Sequence, residues 1–258
     1  MFKNQRHEEL LDILKKEGFA EVRSLSERLY ASQPTIRRDL NLLEKQGYVH
    51  RSHGGAILAD DRNHTPVSFR RGTKPKEKMR ICRLAATLAE PGNVIFTDAS
   101  TTASYLAELL PDDRDLTVVT NGYPICRALS ERGIRTFSTG GRLLTESMAF
   151  VGSIAEETVS SFNADLLFFS ASSLDESGTV SDYSEEETAL RRLMLRRSRQ
   201  SVFLCDSGKF NSSSAFRSFS LSEIDYTVTD YPLPPQTIDS CGLVLLREMD
   251  GACLYGKR

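Results

Sequence analysis

From Val94 to Thr229 short apolar runs alternate with stretches of helical periodicity, and this alternation restricts the fold more than any other feature of the chain. The runs Val94–Thr97, Leu116–Thr120, Arg135–Ser138, Asp165–Ser170, Ser201–Cys205 and Tyr226–Thr229 have the length of strands. Between them lie helical patterns at about 77–90, 102–110, 123–132, 152–161 and 186–199. A strand that is followed by a helix and then by another strand runs parallel to its successor. The body is therefore expected to be an α/β unit with a mainly parallel sheet covered on both faces.

Ligands of such sheets bind in the crevice beyond the carboxyl ends of the strands. Here the strands run into Asp98-Ala99-Ser100-Thr101-Thr102, Asn121-Gly122, Thr139-Gly140-Gly141, Ala171-Ser172-Ser173 and Asp206-Ser207-Gly208-Lys209. These ends predict one polar rim. Ser100, Thr101 and Thr102 open a helix, so hydroxyls and free N–H groups converge as a phosphate seat. Lys209 supplies the countercharge, and Asp175 and Glu187, which follow Ala171-Ser172-Ser173 in the chain, are candidate hydroxyl partners. Each loop alone also reads as an ordinary small polar connection.

The first sixty residues have a different grammar. Leu10, Ile13 and Leu14 recur at helical spacing, which predicts a helix over about 4–16, ended by Gly18. A second helix is expected over about 24–30, capped by Ser24 with Glu27 three residues on. Ser32 can cap a third, with Pro34 in its first turn. In that third helix Ile36, Leu40 and Leu43 form the stripe that must bury. Gln33, Thr35, Arg37, Arg38 and Asn41 are left on the exposed side, toward the N-terminal end.

A helix that enters the major groove presents its early residues to the bases. Arginine pairs two donors with guanine and asparagine does the same with adenine, while threonine meets a phosphate or a thymine methyl. On a lone helix such a face is simply solvated, but as the third of a tight helical set it points to DNA. Tyr48 to Ala56 then reads as a small hairpin with a Gly-Gly turn. Its Arg51 and His53 would sit at the sugar-phosphate backbone or in a minor groove; the alternative is a plain surface hairpin.

Charge agrees with this division. Residues 1–80 hold 17 Lys and Arg against 11 Asp and Glu, whereas the remainder holds 16 against 24, within a net charge of −2. A basic front on an acidic body suits a polyanionic partner. Cys82, Cys126, Cys205, Cys241 and Cys253 form no CxxC pair, so neither a disulfide framework nor a metal site is expected, and no cofactor is implied. No apolar run approaches ~20 residues and the N-terminus lacks a secretory pattern, so a cytoplasmic protein with no membrane partner is expected.

The run Thr35-Ile36-Arg37-Arg38-Asp39-Leu40, followed by Gly47, Arg51 and His53-Gly54-Gly55-Ala56, resembles the winged helix-turn-helix of the DeoR family of bacterial transcription regulators. Gln33-Pro34 departs from the family, which often has an acidic residue and a non-proline there. The departure bears on base preference and leaves the fold intact. The body is also similar to the family's sensor domain in its DASTT loop, Thr120-Asn121, Gly140-Gly141, Gly152 and Asp206 to Phe210. The resemblance implies a sensor similar in fold to ribose 5-phosphate isomerase, with phosphorylated sugars or related intermediates as ligands.

The domains expected are a DNA-binding domain over 1–58, a linker over 59–76, a sensor over 77–232 and a C-terminal tail over 233–258. The function expected is a DNA-binding repressor of a carbohydrate-metabolism operon, relieved by a phosphorylated sugar. A single winged domain reads few base pairs, so a homodimer or higher even oligomer on a double-stranded operator is expected. The alternative is a sugar-phosphate isomerase-like enzyme with an accessory DNA-binding front. Where the isomerase family has an aspartate pair, this chain has Phe169-Ser170-Ala171-Ser172-Ser173, and no histidine follows His64. The pocket thus has no evident base or nucleophile partner, and a non-enzyme is expected.

Overall fold

The computed structural model describes residues 3–45, 48–52, 54–58, 67–112 and 115–258. The chain divides into two compact units, Met1–Thr73 and Lys74–Arg258.

The first unit contains α1 (Lys3–Glu17), β1 (Phe19–Glu21), α2 (Val22–Arg28), α3 (Gln33–Lys45), β2 (Val49–Ser52), β3 (Gly55–Leu58) and α4 (Val67–Gly72). Gly18, at φ 70°, ends α1 and donates its N–H to the Leu14 carbonyl at 2.8 Å. The stripe Ile36, Leu40 and Leu43 is buried against Leu10, Leu14, Leu25, Val49 and Ala56. β3 is the central strand of a small antiparallel sheet, between β1 and β2. A Cβ on Gly55 would lie 2.4 Å from the Phe19 ring and 2.5 Å from the Ala20 carbonyl oxygen, so only glycine lets the returning strand pass β1 this closely.

The second helix corrects one expectation. It begins at Val22, not Ser24, and its N-cap Glu21 makes no side-chain cap. The Val22 N–H donates instead to the Gly54 carbonyl at 2.7 Å, so the hairpin turn satisfies this donor. Glu27 pairs with Arg23 at 3.1 Å, and the Ser24–Glu27 box does not form.

The second unit begins with α5 (Pro75–Ala86), β4 (Val94–Thr97), α6 (Thr101–Leu109), β5 (Thr117–Thr120), α7 (Tyr123–Glu131) and β6 (Arg135–Ser138). A ribbon of β7 (Arg142–Leu144) and β8 (Ala149–Val151) follows, then α8 (Ser153–Ser160) and β9 (Ala164–Phe169). Next come β10 (Ser173–Leu174), β11 (Thr179–Asp182), α9 (Glu185–Arg196), β12 (Ser198–Cys205), β13 (Phe216–Ser220) and β14 (Tyr226–Thr229). The unit closes with α10 (Pro235–Ser240), β15 (Leu243–Met249) and β16 (Ala252–Lys257).

The main sheet has the order β15-β16-β14-β12-β9-β4-β5-β6. From β14 to β6 every pairing is parallel, and β16 and β15 extend the sheet antiparallel. Side chains of period two divide between its faces. Ile95, Val118, Leu166, Phe168, Val202 and Leu204 pack with α5, α6 and α7. Their neighbours Phe96, Val119, Leu167, Phe169 and Phe203 pack with α8 and α9. β10, β11 and β13 form a separate antiparallel sheet.

Two boundary expectations change. Residues 59–66 of the expected linker lie outside the described residues, but 67–72 are helical and the second unit begins at Lys74. Pro75 occupies the first turn of α5, where its missing N–H costs nothing. Nor is 233–258 a tail: it supplies two strands of the main sheet. Ala252 and Leu254 enter one core while Cys253 and Tyr255 enter the other.

Asp39 is buried within the first unit, in the turn of α3 that also bears the exposed Arg37 and Arg38. Its carboxylate accepts from Arg6 Nε at 2.6 Å and His7 Nε2 at 3.1 Å, which locks α1 to α3. Burial penalises the charge, but the bonds from Arg6 and His7 outweigh it and hold the carboxyl below its ordinary pKa. Because the folded value is depressed, the stabilisation is complete above the unfolded pKa of about 3.9 and is lost as pH falls through the folded one. Asp39→Asn should cost roughly 3 kcal/mol at neutral pH by breaking a buried pair. Native-state hydrogen exchange of α1 and α3 in the full chain checks this, and the difference from wild type should close toward acid pH.

Candidate functional site

The first unit presents α3 as its candidate DNA-reading element. The Ser32 hydroxyl lies 2.9 Å from that of Thr35 and accepts the Thr35 N–H at 3.4 Å, closing the first turn. Ser32, Gln33, Arg37, Arg38 and Asn41 are exposed and Thr35 is half-buried. Among the described residues neither Arg37 nor Arg38 pairs with a carboxylate, so both guanidiniums face solvent opposite the buried stripe. Arg51 in β2 donates its N–H to Glu44 at 2.8 Å and its guanidinium to the Asn41 side-chain oxygen. Asn41 and Arg51, expected to meet base and backbone separately, therefore hold one another and dock the hairpin on α3. His53 and Gly47 lie outside the described residues.

The second unit gathers polar groups where β4, β5, β6, β9 and β12 end. Ser100 caps α6, its Oγ accepting the Ala103 N–H at 3.1 Å. The N–H groups of Thr101 and Thr102 follow in the first turn, where a helix has no carbonyl of its own for them. Two lysines reach this turn. Lys209 Nζ lies 3.4 Å from Thr102 Oγ1, donates to Ser170 Oγ at 2.6 Å and sits 3.6 Å from Asp206. Lys78 Nζ, on α5, lies 3.3 Å from Thr101 Oγ1.

At the neighbouring strand ends, Asn121 is buried and donates its side-chain N–H to the Phe150 carbonyl at 3.1 Å. Gly140 and Gly141 both have positive φ, and a Cβ on Gly141 would meet the Val151 carbonyl oxygen at 2.5 Å.

Asp98 is not a free acceptor. Its Oδ2 takes the Ser170 N–H at 3.2 Å and Arg191 Nε at 2.9 Å, and its Oδ1 takes the Ser100 N–H at 3.2 Å. Arg191 also binds Asp182 at 2.9 Å and lies 3.7 Å from Glu187. Burial works against the guanidinium, and Asp182, Asp98 and Glu187 more than compensate, so it stays charged. Asp182 in turn accepts the Ser172 hydroxyl at 2.6 Å. Glu187 thus belongs to an internal ion network. Asp175 is spent elsewhere: its carboxylate takes the Ser177 hydroxyl at 2.6 Å and the Thr179 N–H at 2.8 Å, closing the β10–β11 turn.

The profile of the DeoR-like helix-turn-helix domain matches residues 6–62, and that of the DeoR C terminal sensor domain matches residues 73–231. The chain belongs to the DeoR family. Among its DeoR-type relatives, the L-fucose operon activator of Escherichia coli is 35% identical over 88% of this chain and 95% of its own. The glycerol-3-phosphate regulon repressor of Escherichia coli is 30% identical over 91% of this chain and 93% of its own. Ribose 5-phosphate isomerase A from Methanocaldococcus jannaschii overlaps 54% of this chain and 55% of its own at 13% identity, with a TM-score of 0.41. The chain is a DNA-binding transcriptional regulator of the DeoR family, with a helix-turn-helix domain followed by a sensor domain.

Sequence reading of this DeoR-family chain missed Lys78, Asp182 and Arg191. Lys78 had a signal: it stands at i−3 and i−4 from Ile81 and Cys82, on the buried stripe of α5. Arg191 likewise shares the stripe of Thr188, Leu190 and Met194 in α9. A charge on an apolar stripe requires buried partners, but the pattern does not say which.

Arg37→Ala or Arg38→Ala should weaken binding to a duplex selected by the wild-type protein by about 1–3 kcal/mol, with relaxed preference at the base that is read. Fluorescence anisotropy on base-substituted duplexes measures this. Arg191→Met should destabilise the sensor unit by roughly 3–5 kcal/mol, since it strands buried carboxylates; urea unfolding of the full chain gives the value.

Proposed function

We propose that this regulator represses a carbohydrate-metabolism operon and that a phosphorylated sugar, bound at the strand-end rim of the sensor unit, relieves the repression. The observation that carries the reading is the convergence of Lys209 and Lys78 on the Thr102 and Thr101 hydroxyls at the start of α6. Two ammonium groups and the orphan N–H groups of a helix N-terminus suit a dianionic phosphate. Asn121 and the Gly140–Gly141 turn, at adjoining strand ends, suit the sugar hydroxyls. One relative is a repressor of a glycerol-3-phosphate regulon and another an activator of an L-fucose operon, which supports the carbohydrate assignment.

The rim is read as binding without turnover. Isomerisation needs a carboxylate base, whereas Ser170, Ser172 and Ser173 bear hydroxyls and Asp98 is engaged by Arg191. One winged unit neutralises few phosphates, so the working form on duplex DNA is a homodimer or higher even oligomer, acting in the cytoplasm. No described helix is long and apolar enough to cross a membrane.

A thermal-shift screen against phosphorylated sugars identifies the effector. Lys209→Ala should keep the wild-type affinity for duplex DNA and need about tenfold more of the best stabilising sugar phosphate for DNA release. A mutant that responds at wild-type concentrations moves the phosphate seat elsewhere, and aldose–ketose interconversion by the wild-type protein overturns the non-enzymatic reading.

A further inference from the structure

Lys74 opens the second unit, directly after Thr73, the last residue of the first. Its backbone has φ 50° and ψ 50°, the left-handed region that residues other than glycine seldom occupy. Pro75 follows, and a residue before proline is driven toward extended backbone. Two features of the local sequence thus oppose the conformation observed. Side-chain contacts hold it in place. Lys74 Nζ donates to Ser207 Oγ at 2.7 Å, and its stem lies against Gly208, where a Cβ would come within 3.2 Å of Lys74 Cε. Ser207 is anchored in turn by Asp230, which accepts its N–H at 2.6 Å and its hydroxyl at 2.9 Å.

The same short turn, Ser207–Lys209, ends in the rim ammonium. Lys209 reaches Ser170, Thr102 and Asp206 from one end of it, while Lys74 is tethered to the other. Any group that draws Lys209 toward itself acts on the turn that keeps Lys74 in its disfavoured state. Coupling between two sites requires an element with two discrete states that both sites bias, and a left-handed lysine ahead of a proline has extended backbone as its second state.

We propose that Lys74 is the positioning residue through which occupancy of the rim reaches the DNA-binding unit. An anion that draws the Lys209 ammonium toward itself pulls the Ser207–Lys209 turn with it, a pull that Lys209→Ala, lacking the ammonium, does not exert. Lys74 then loses Ser207, and its backbone relaxes from left-handed to extended where the two units join. This rests on the reading of the rim as a phosphate seat.

The test uses the full chain, a duplex selected from a random pool by the wild-type protein, and inorganic phosphate as probe against chloride at matched ionic strength. Ser207→Ala and Lys74→Met cut the tether from its two ends. Each should weaken duplex binding roughly fivefold or more without added phosphate. The double variant should be no weaker than either single one, and none of the three should respond further to phosphate. Circular dichroism melting confirms that each variant is folded, and Ser207→Ala, confined to the second unit, decides the matter if Lys74→Met is not. Unchanged duplex affinity in Ser207→Ala overturns the proposal. A phosphate response in folded Lys74→Met equal to that of wild type also overturns it, while leaving the phosphate seat standing. If phosphate fails to raise the melting temperature of the wild-type protein, the seat itself fails and the proposal falls with it.

Discussion

Arg191, buried among Asp98, Asp182 and Glu187, is the contact on which the sensor unit depends. Through Asp98 it holds the loop that leads from β4 into α6, and through the Ser170 N–H on the same carboxylate it holds the end of β9. Through Asp182 it holds the end of β11 and the Ser172 hydroxyl. A guanidinium in this position adds little net stability, because desolvation offsets most of the attraction. What it does is select one arrangement: any displacement of a loop leaves a charge without its partner. The loops at these strand ends are therefore tied to one another through buried carboxylates, with Lys78 at Thr101 and Lys209 at Thr102. The same network engages both oxygens of Asp98, so this acidic residue of the DASTT loop serves the architecture.

The DNA-binding unit uses the same device on a smaller scale. In Arg37-Arg38-Asp39 successive side chains turn by about 100° around the helix. Two guanidiniums come out to solvent and the carboxylate goes in, where Arg6 and His7 meet it. Asp39 lies at i+3 from Ile36 and i−4 from Leu43, so it shares their buried face. A run that reads as a charged cluster is thus split by geometry into an exposed basic surface and a clamp. The Asn41–Arg51 contact adds a second fastening, between α3 and the hairpin. Two elements held in a preset arrangement lose less entropy when they bind a partner.

Much of this was legible from residue order. The main-sheet strands β4, β5, β6, β9, β12 and β14 and helices α5 to α9 are legible as apolar runs and as period 3.6, because each element buries its own face locally, whereas the short strands β7, β8, β10, β11 and β13 are not. The stripe of α3, the hairpin, the polar strand ends and the lysine after β12 were legible for the same reason. Errors arose where a partner was distant. Residue order points to a local cap for the second helix, whereas the hairpin turn satisfies that end. The last twenty-six residues looked like a tail because their strands pair antiparallel and have no helix between them to announce a sheet.

The site divides along the same line. By itself the order of residues determined which types of group would stand at the strand ends and on the face of α3, since periodicity and turn chemistry are properties of neighbours. Only the tertiary structure decided which of those groups remain free to meet a ligand. Arg191 and Asp98 are 93 residues apart, and Arg6 and Asp39 are 33 apart. Charge pairing depends on distance in space and on exclusion of water, and neither is written in a local pattern.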